Sequence, residues 1–179
     1  MAAPIRVYLI DDHNAVREAV AAMLGSIESI VVVGQSADAE GGLAEVGALQ
    51  PRVVLLDLRM PGLSGLAAIS RILEKSPDSR IVIFSMYDNP AYVWETINAG
   101  ASAYLLKTAT RDELVRAIRA VAKGGGYLQA EVTMPLLKRF AHDARSMDSR
   151  KTLTLREMQM LECLADGLSN KEIANRLTL

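Results

Sequence analysis

The 179-residue chain carries a single cysteine, Cys163. No internal disulfide is possible, so the fold must rest on its core, and a reducing, cytoplasmic setting is expected. Cys163 lies in an apolar helical pattern with no partner base near it in sequence, which marks it as a packed thiol rather than a nucleophile. Charge of one sign is also missing: the formal net charge is −1, so nothing global points to nucleic acid or to a membrane surface. No apolar run approaches the roughly 20 residues needed to span a bilayer. The N-terminus, Met1-Ala2-Ala3-Pro4-Ile5-Arg6, leads into an apolar run that Asp11 cuts short, which reads as a first strand rather than a signal peptide. No internal repeat or low-complexity tract is present.

What is present is apolar mass. Half the residues are hydrophobic, enough for one good domain with a sizeable core and a small second one. Strand and helix patterns alternate from residue 5 to about residue 123. Ile5–Ile10 is a short continuous apolar run, as in a strand buried on both faces. Val16, Val20, Met23 and Leu24 then recur at helical spacing. Ile30–Val33 reads as a strand, Ala39–Leu49 as a helix of small residues, and Val53–Leu56 as a strand ending near a turn at Pro61-Gly62. Leu66, Ile69, Ile72 and Leu73 mark a third helix. Arg80–Phe84 is a strand, Pro90–Ala99 a helix stopped by Gly100, and Ala101–Leu106 a strand. Leu114, Ala117, Ile118 and Val121 mark a fifth helix, ended by Gly124-Gly125-Gly126. Five βα units with short loops predict a doubly wound, five-stranded parallel sheet of the flavodoxin-like type, with helices on both faces.

The polar residues at the strand ends carry the chemistry. Asp11 and Asp12 follow the first strand, Asp57 the third, Ser85 the fourth and Lys107 the fifth. In a doubly wound sheet these carboxyl ends share one edge, where ligands bind. Three carboxylates offer hard oxygen ligands suited to Mg²⁺. Such an ion would offset the repulsion between a carboxylate nucleophile and an anionic phosphoryl donor, so that an aspartate could take the group covalently. Lys107 is a compact cation for a phosphoryl oxygen, and Ser85 can donate a hydrogen bond to another. Singly, these residues have ordinary roles, such as a helix cap for Asp11-Asp12 or a solvated lysine. Their recurrence at successive strand ends is what points to a site. His13 reads as part of the turn that starts the first helix, since Mg²⁺ has little preference for imidazole. His142 falls in a polar stretch and reads as solvated. Gly124–Gly126 follows a helix rather than a strand, so it is not a nucleotide-binding loop.

Residues 5–123 resemble the receiver domain of a two-component response regulator. The resemblance rests on Asp11-Asp12, on Asp57 within Leu55-Leu56-Asp57-Leu58-Arg59-Met60-Pro61-Gly62, on Ser85 within Ile83-Phe84-Ser85-Met86-Tyr87, and on Lys107 within Tyr104-Leu105-Leu106-Lys107. It implies that Asp57 is the phosphoacceptor. Asp12, Asp57 and the backbone carbonyl of Arg59 would bind Mg²⁺, and Asp11 would assist through water. Ser85 and Tyr104 would be a switch pair, the ring of Tyr104 turning inward as the hydroxyl moves toward the phosphoryl group. The implied partners are a histidine kinase and a second copy of the chain, in a phosphorylation-promoted homodimer. Such a protein catalyses only its own phosphorylation and dephosphorylation, so it is not a classical enzyme. Many receivers follow the lysine with a cis proline. Here Thr108 stands in that place, so a cis bond is not expected. Arg59 and Tyr87 are expected to flank the site and hinder an attacking water.

After the glycines the pattern changes. With the receiver assigned to residues 1–125, residues 126–151 read as a linker that is partly helical. Val132–Ala141 is weakly helical and His142–Lys151 is charged and polar. In 152–179, Thr154-Leu155-Arg156-Glu157 and Ser169-Asn170-Lys171-Glu172 are capping boxes for two short helices. This stretch, above all Gly167-Leu168-Ser169-Asn170-Lys171-Glu172-Ile173-Ala174, resembles the start of a LuxR/NarL-type helix-turn-helix domain. In that family base edges are read by a later recognition helix. Arg150, Lys151, Arg156, Lys171 and Arg176 are nearly balanced by Glu157, Glu162, Asp166 and Glu172. Sequence-specific DNA binding is therefore expected only of a longer, complete form.

Two other readings compete. A receiver without transcriptional output would serve as a phosphate-transfer or dimerisation module. A haloacid-dehalogenase-type hydrolase would need a second aspartate two positions after Asp57, where this chain has Arg59.

Overall fold

The computed structural model describes the backbone of residues 3–151 and the side chains of residues 3–140. The chain divides into two units, Met1–Leu137 and Lys138–Leu179. Cys163, both capping boxes and the whole helix-turn-helix reading of 152–179 lie outside the described residues, as does the side chain of His142.

The first unit alternates strand and helix: β1 (Ile5–Ile10), α1 (Asn14–Gly25), β2 (Ile30–Ser36), α2 (Ala39–Leu49), β3 (Val53–Leu56), α3 (Gly65–Lys75), β4 (Arg80–Ser85), α4 (Pro90–Asn98), β5 (Ala103–Leu106), α5 (Arg111–Ala122), β6 (Tyr127–Leu128) and α6, which starts at Ala130 and runs to Lys151. All pairings are parallel, in the order β2-β1-β3-β4-β5-β6. The chain starts in the middle of the sheet, builds one edge, and crosses back, so the reversal of direction falls between β1 and β3. That crevice is where a doubly wound sheet places its site.

The alternation of side chains across each strand divides the core in two. Val7, Leu9, Val53, Leu55, Val82 and Phe84 pack with Val20 and Leu24 of α1 and Leu114, Ile118 and Val121 of α5. Tyr8, Ile10, Val54, Leu56, Ile81 and Ile83 pack on the other face with residues of α2, α3 and α4. Burial on both faces is why the central strands read as continuous apolar runs.

The five strands expected from sequence all form, and a two-residue sixth joins them at the edge of β5. β2 runs on through Gly34, Gln35 and Ser36. Its register slips between Val7 and Tyr8, and a Cβ on Gly34 would lie 2.6 Å from the Tyr8 ring. The glycine makes room for that ring, whose hydroxyl donates to Glu45 at 2.9 Å. α5 is closed at its start by a capping box between Thr110 and Glu113, and the chain leaves it through Gly124 at φ +90°. The segment read as a linker carries α6, whose Val132 and Leu136 are buried in the same cluster as Tyr104. His142–Lys151 read as polar linker because its charged residues form no apolar stripe, yet its backbone continues the helix.

Candidate functional site at the carboxyl edge of the sheet

Asp11 and Asp57 sit one residue beyond β1 and β3, and the two strands hold them side by side through the hydrogen bond from Asp57 N–H to Ile10 O at 2.9 Å. Both are buried, at 6% and 4% exposure. Lys107 lies one residue past β5, with its N–H donating to Ser85 O at 2.8 Å. Its side chain crosses the edge, and Nζ lies 2.8 Å from Asp11 Oδ2 and 2.7 Å from Asp57 Oδ2. Burial works against the charge of the ammonium, but the hydrogen bonds and charges of Asp11 and Asp57 outweigh it, so its pKa is raised. The sequence-predicted trio is therefore one contiguous ion cluster.

Asp12 behaves differently. Its Oδ1 is buried and has no hydrogen-bond partner among the described residues. His13 Nδ1 comes within 2.8 Å of that oxygen. This is ion-pair distance without hydrogen-bond alignment, so it does not satisfy the oxygen in the way an aligned donor would. Stranding a carboxylate oxygen out of water is costly unless something binds it. Oxygen or nitrogen atoms of Asp11, Asp12, His13 and Asp57 lie within 4.8 Å of one another. Three carboxylates, one with an unsatisfied oxygen, make a donor set that fits a hard divalent cation.

His13 turns out closer to the site than its sequence position suggested. It is the N-cap residue of α1, and its backbone N–H donates to Asp11 Oδ1 at 2.9 Å. Its ring is 62% exposed at the mouth of the carboxylate cluster. The reading as a helix-start residue holds, and the ring faces the acids as well.

Ser85 and Tyr104 are fully buried. Ser85 Oγ accepts from Tyr87 N–H at 3.3 Å. The Tyr104 hydroxyl donates to Tyr87 O at 2.6 Å. Burial pushes the phenol up to about 12, with the nearby Ser85 hydroxyl opposing and the charges of Asp57 and Asp88 adding to the rise. The Lys107–Thr108 bond is trans.

Arg59 and Tyr87, expected as flanking residues, meet each other. The guanidinium lies 4.6 Å from the centre of the Tyr87 ring, and Tyr87 meets Tyr92 edge to face at 5.9 Å. Arg59 N–H points to Asp57 Oδ1 at 3.4 Å. These residues rim a cleft of about 470 Å³ that begins at Asp12 and runs between the loop after β3 and α4.

Two contributors were not visible in sequence. A Cβ on Gly65 would lie 2.2 Å from Asp57 O, so only glycine lets the start of α3 approach the loop that carries Asp57. Glycine at a helix start gives no hint of such contact. The other is Gln129, whose side-chain Oε1 accepts from Leu106 N–H beside Lys107.

The sequence matches the response regulator receiver domain family over residues 7–119, and the luxR family of bacterial regulatory proteins over 151–179. It is 38% identical over 173 residues to the transcriptional regulatory protein LiaR of Bacillus subtilis, covering 97% of this chain and 82% of LiaR. It is 36% identical over 179 residues to the oxygen regulatory protein NreC of Staphylococcus carnosus, with the same coverage. Among solved structures, the receiver domain of response regulator NarL from Mycobacterium tuberculosis aligns with a TM-score of 0.66 at 36% identity, covering 69% of this chain and 99% of that one. RcsB of Salmonella typhimurium aligns over 99% of this chain and 85% of its own, with a TM-score of 0.72 at 27% identity.

Fold and edge site together define a response-regulator receiver. The chain belongs to the two-component response regulators that join a receiver to a LuxR-type output domain, and its relatives are transcriptional regulators.

Proposed function

We propose that Asp57 is the phosphoacceptor of this regulator, taking its phosphoryl group from a histidine kinase or a small phosphodonor. The observation that supports this most directly is the pairing of Asp57 Oδ2 with Lys107 Nζ at 2.7 Å beside an Asp12 oxygen without a hydrogen-bond partner among the described residues. Lys107 is placed to hold a phosphoryl oxygen once one is attached to Asp57. Asp11, Asp12, Asp57 and the backbone carbonyl of Arg59 would hold Mg²⁺. When bound, that ion supplies charge neutralisation and orientation for the incoming phosphoryl oxygens. Asp57 turns over only its own phosphoryl group, so the chain is a switch rather than a classical enzyme.

Ser85 would donate to the phosphoryl group after giving up its contact with Tyr87 N–H, and Tyr104 would hold the β4–α4 loop through Tyr87 O. Phosphorylation then biases a pre-existing equilibrium toward a form that self-associates. We assign the receiver to residues 1–125 and place the protein in the cytoplasm, in keeping with the single cysteine. Among the described residues no helix is long and apolar enough to cross a membrane.

The test is intact mass spectrometry after incubation with acetyl phosphate and Mg²⁺. One phosphoryl adduct is expected in the wild type and none in Asp57→Asn. A folded wild-type protein that binds Mg²⁺ yet takes no adduct would remove the phosphorylation switch.

A further inference from the structure

β6 pairs with β5 at only two positions, Ala103 with Tyr127 and Tyr104 with Leu128. The next residue, Gln129, is 2% exposed. Its N–H donates to Tyr104 O at 3.1 Å. Its side-chain Oε1 then accepts from Leu106 N–H at 2.7 Å. In a longer strand a backbone carbonyl would take that rung of the ladder. Here a side-chain amide stands in for it, and it does so one residue before Lys107.

The end of β5 is thereby gripped from both sides. On one edge Lys107 N–H is bonded to Ser85 O, and on the other Leu106 N–H is bonded to Gln129. Between those grips the Lys107 side chain must carry its ammonium to two buried carboxylates at once. A four-carbon stem has much rotational freedom, so the fixed backbone is what makes the placement reproducible. Gln129 also begins α6: its carbonyl accepts from Val132 N–H at 3.1 Å, Thr133 N–H at 3.2 Å and Thr133 Oγ1 at 2.9 Å. One residue closes β5 and opens the next helix.

We infer that Gln129 is a positioning residue for Lys107, and that through it the first turn of α6 is coupled to the phosphorylation edge. The catalytic part of this rests on Asp57 being the phosphoacceptor. The geometric part does not. Coupling of this kind is reciprocal: what shifts the end of β5 shifts the first turn of α6, and the reverse.

Three variants of the full chain test it. Gln129→Leu keeps the bulk and removes the acceptor. Gln129→Glu keeps an oxygen at the same reach. Val46→Ala loosens the core under α2, which packs on β1 and β2, away from the β5–α6 seam. Amide hydrogen exchange is read at Lys107, whose N–H bonds Ser85 rather than Gln129, and the initial rate of phosphorylation by acetyl phosphate with Mg²⁺ is read beside it. Gln129→Leu is expected to expose the Lys107 amide and to slow phosphorylation roughly fivefold to tenfold, the scale of one lost hydrogen bond. Gln129→Glu is expected to restore both. Val46→Ala, with thermal stability lowered at least as far, should leave both near wild type. Unchanged exchange at Lys107 in Gln129→Leu would overturn the proposal, as would equal slowing in Val46→Ala. A wild type that takes no phosphoryl group, with the Lys107 amide still released in Gln129→Leu, would remove the Asp57 reading and keep the clamp.

Discussion

The two ends of the sheet bury polar groups in opposite ways. At the amino end, Ser76 and Ser79 are 1% exposed. Their hydroxyls lie 2.8 Å apart, and they donate to Gln50 Oε1 at 3.1 Å and to Pro51 O at 2.6 Å. Arg52 closes the same end with two hydrogen bonds to Ala122 O. Every hydroxyl there is neutral and satisfied. At the carboxyl end, Asp11, Asp57 and Lys107 are charged, nearly as deeply buried and paired with one another, backbone N–H groups of His13 and Arg59 reach the two carboxylates, and an Asp12 oxygen has no hydrogen-bond partner among the described residues. Satisfied neutral clusters fasten a fold. A buried charge cluster with an unmet acceptor is built for something that arrives later.

The sharpest way to break this comparison is to remove one member from each end. Lys107→Met leaves Asp11 and Asp57 facing each other without a cation. Stability at neutral pH is expected to fall by about 3–5 kcal/mol, and phosphorylation to slow roughly tenfold or more. Denaturant melts and adduct mass spectrometry read the two effects. Ser79→Ala at the other end leaves Pro51 O unsatisfied and should cost about 1–3 kcal/mol, with the phosphorylation rate at its wild-type value. If Ser79→Ala slowed phosphorylation as well, the two ends would not be separable.

Titration sharpens the same contrast. The raised pKa of Lys107 means that its contribution to stability is fully present below the unfolded lysine pKa, roughly 10.4. It is lost as pH rises through the folded value. Tyr104, pushed up to about 12, works in the same direction: the folded state holds the phenol proton more tightly, so stability falls between about pH 10 and 12. Tyr104→Phe should cost about 1 kcal/mol at pH 7 through the lost bond to Tyr87 O. It should then lose less stability than wild type as pH is raised from 9 to 12. Parallel urea midpoints for the two proteins would show the curves converging. Curves that stay parallel would mean that Tyr104 does not titrate with unfolding.

How much of this was legible in sequence follows from what each feature is made of. The charged edge was legible because strands buried on both faces leave abrupt polar ends. Asp11, Asp57 and Lys107 each stand one residue past such a run, and the structure joins them. β6 and the role of Gln129 were not legible. A two-residue strand has no period to detect, and a side chain that replaces a backbone acceptor looks like any other glutamine. Gly65 escaped for a related reason, since its neighbour is the backbone of Asp57, which is distant from any pattern along α3. Ser76 and Ser79 left no signal because their partners, Gln50 and Pro51, lie on a different connection.

The smallest expected effect concerns the rim. Arg59 and Tyr87 come from different loops, after β3 and after β4, and their contact at 4.6 Å spans the edge beside Asp57. A cation–π pair of this kind at a partly exposed position is worth about 0.5–1 kcal/mol, too little to hold the fold. With Asp57 as the proposed phosphoacceptor, it would be enough to bias how often water reaches an acyl phosphate there. Replacing either residue with alanine should therefore lower the melting temperature by no more than about 5 °C. Loss of the phosphoryl group should quicken by a small factor, roughly twofold to fivefold. If the pair acts as one barrier, the double variant should be no faster than the quicker single variant. Multiplying effects would mean that each side chain hinders water separately, and an unchanged lifetime in all three would place the barrier elsewhere on the edge.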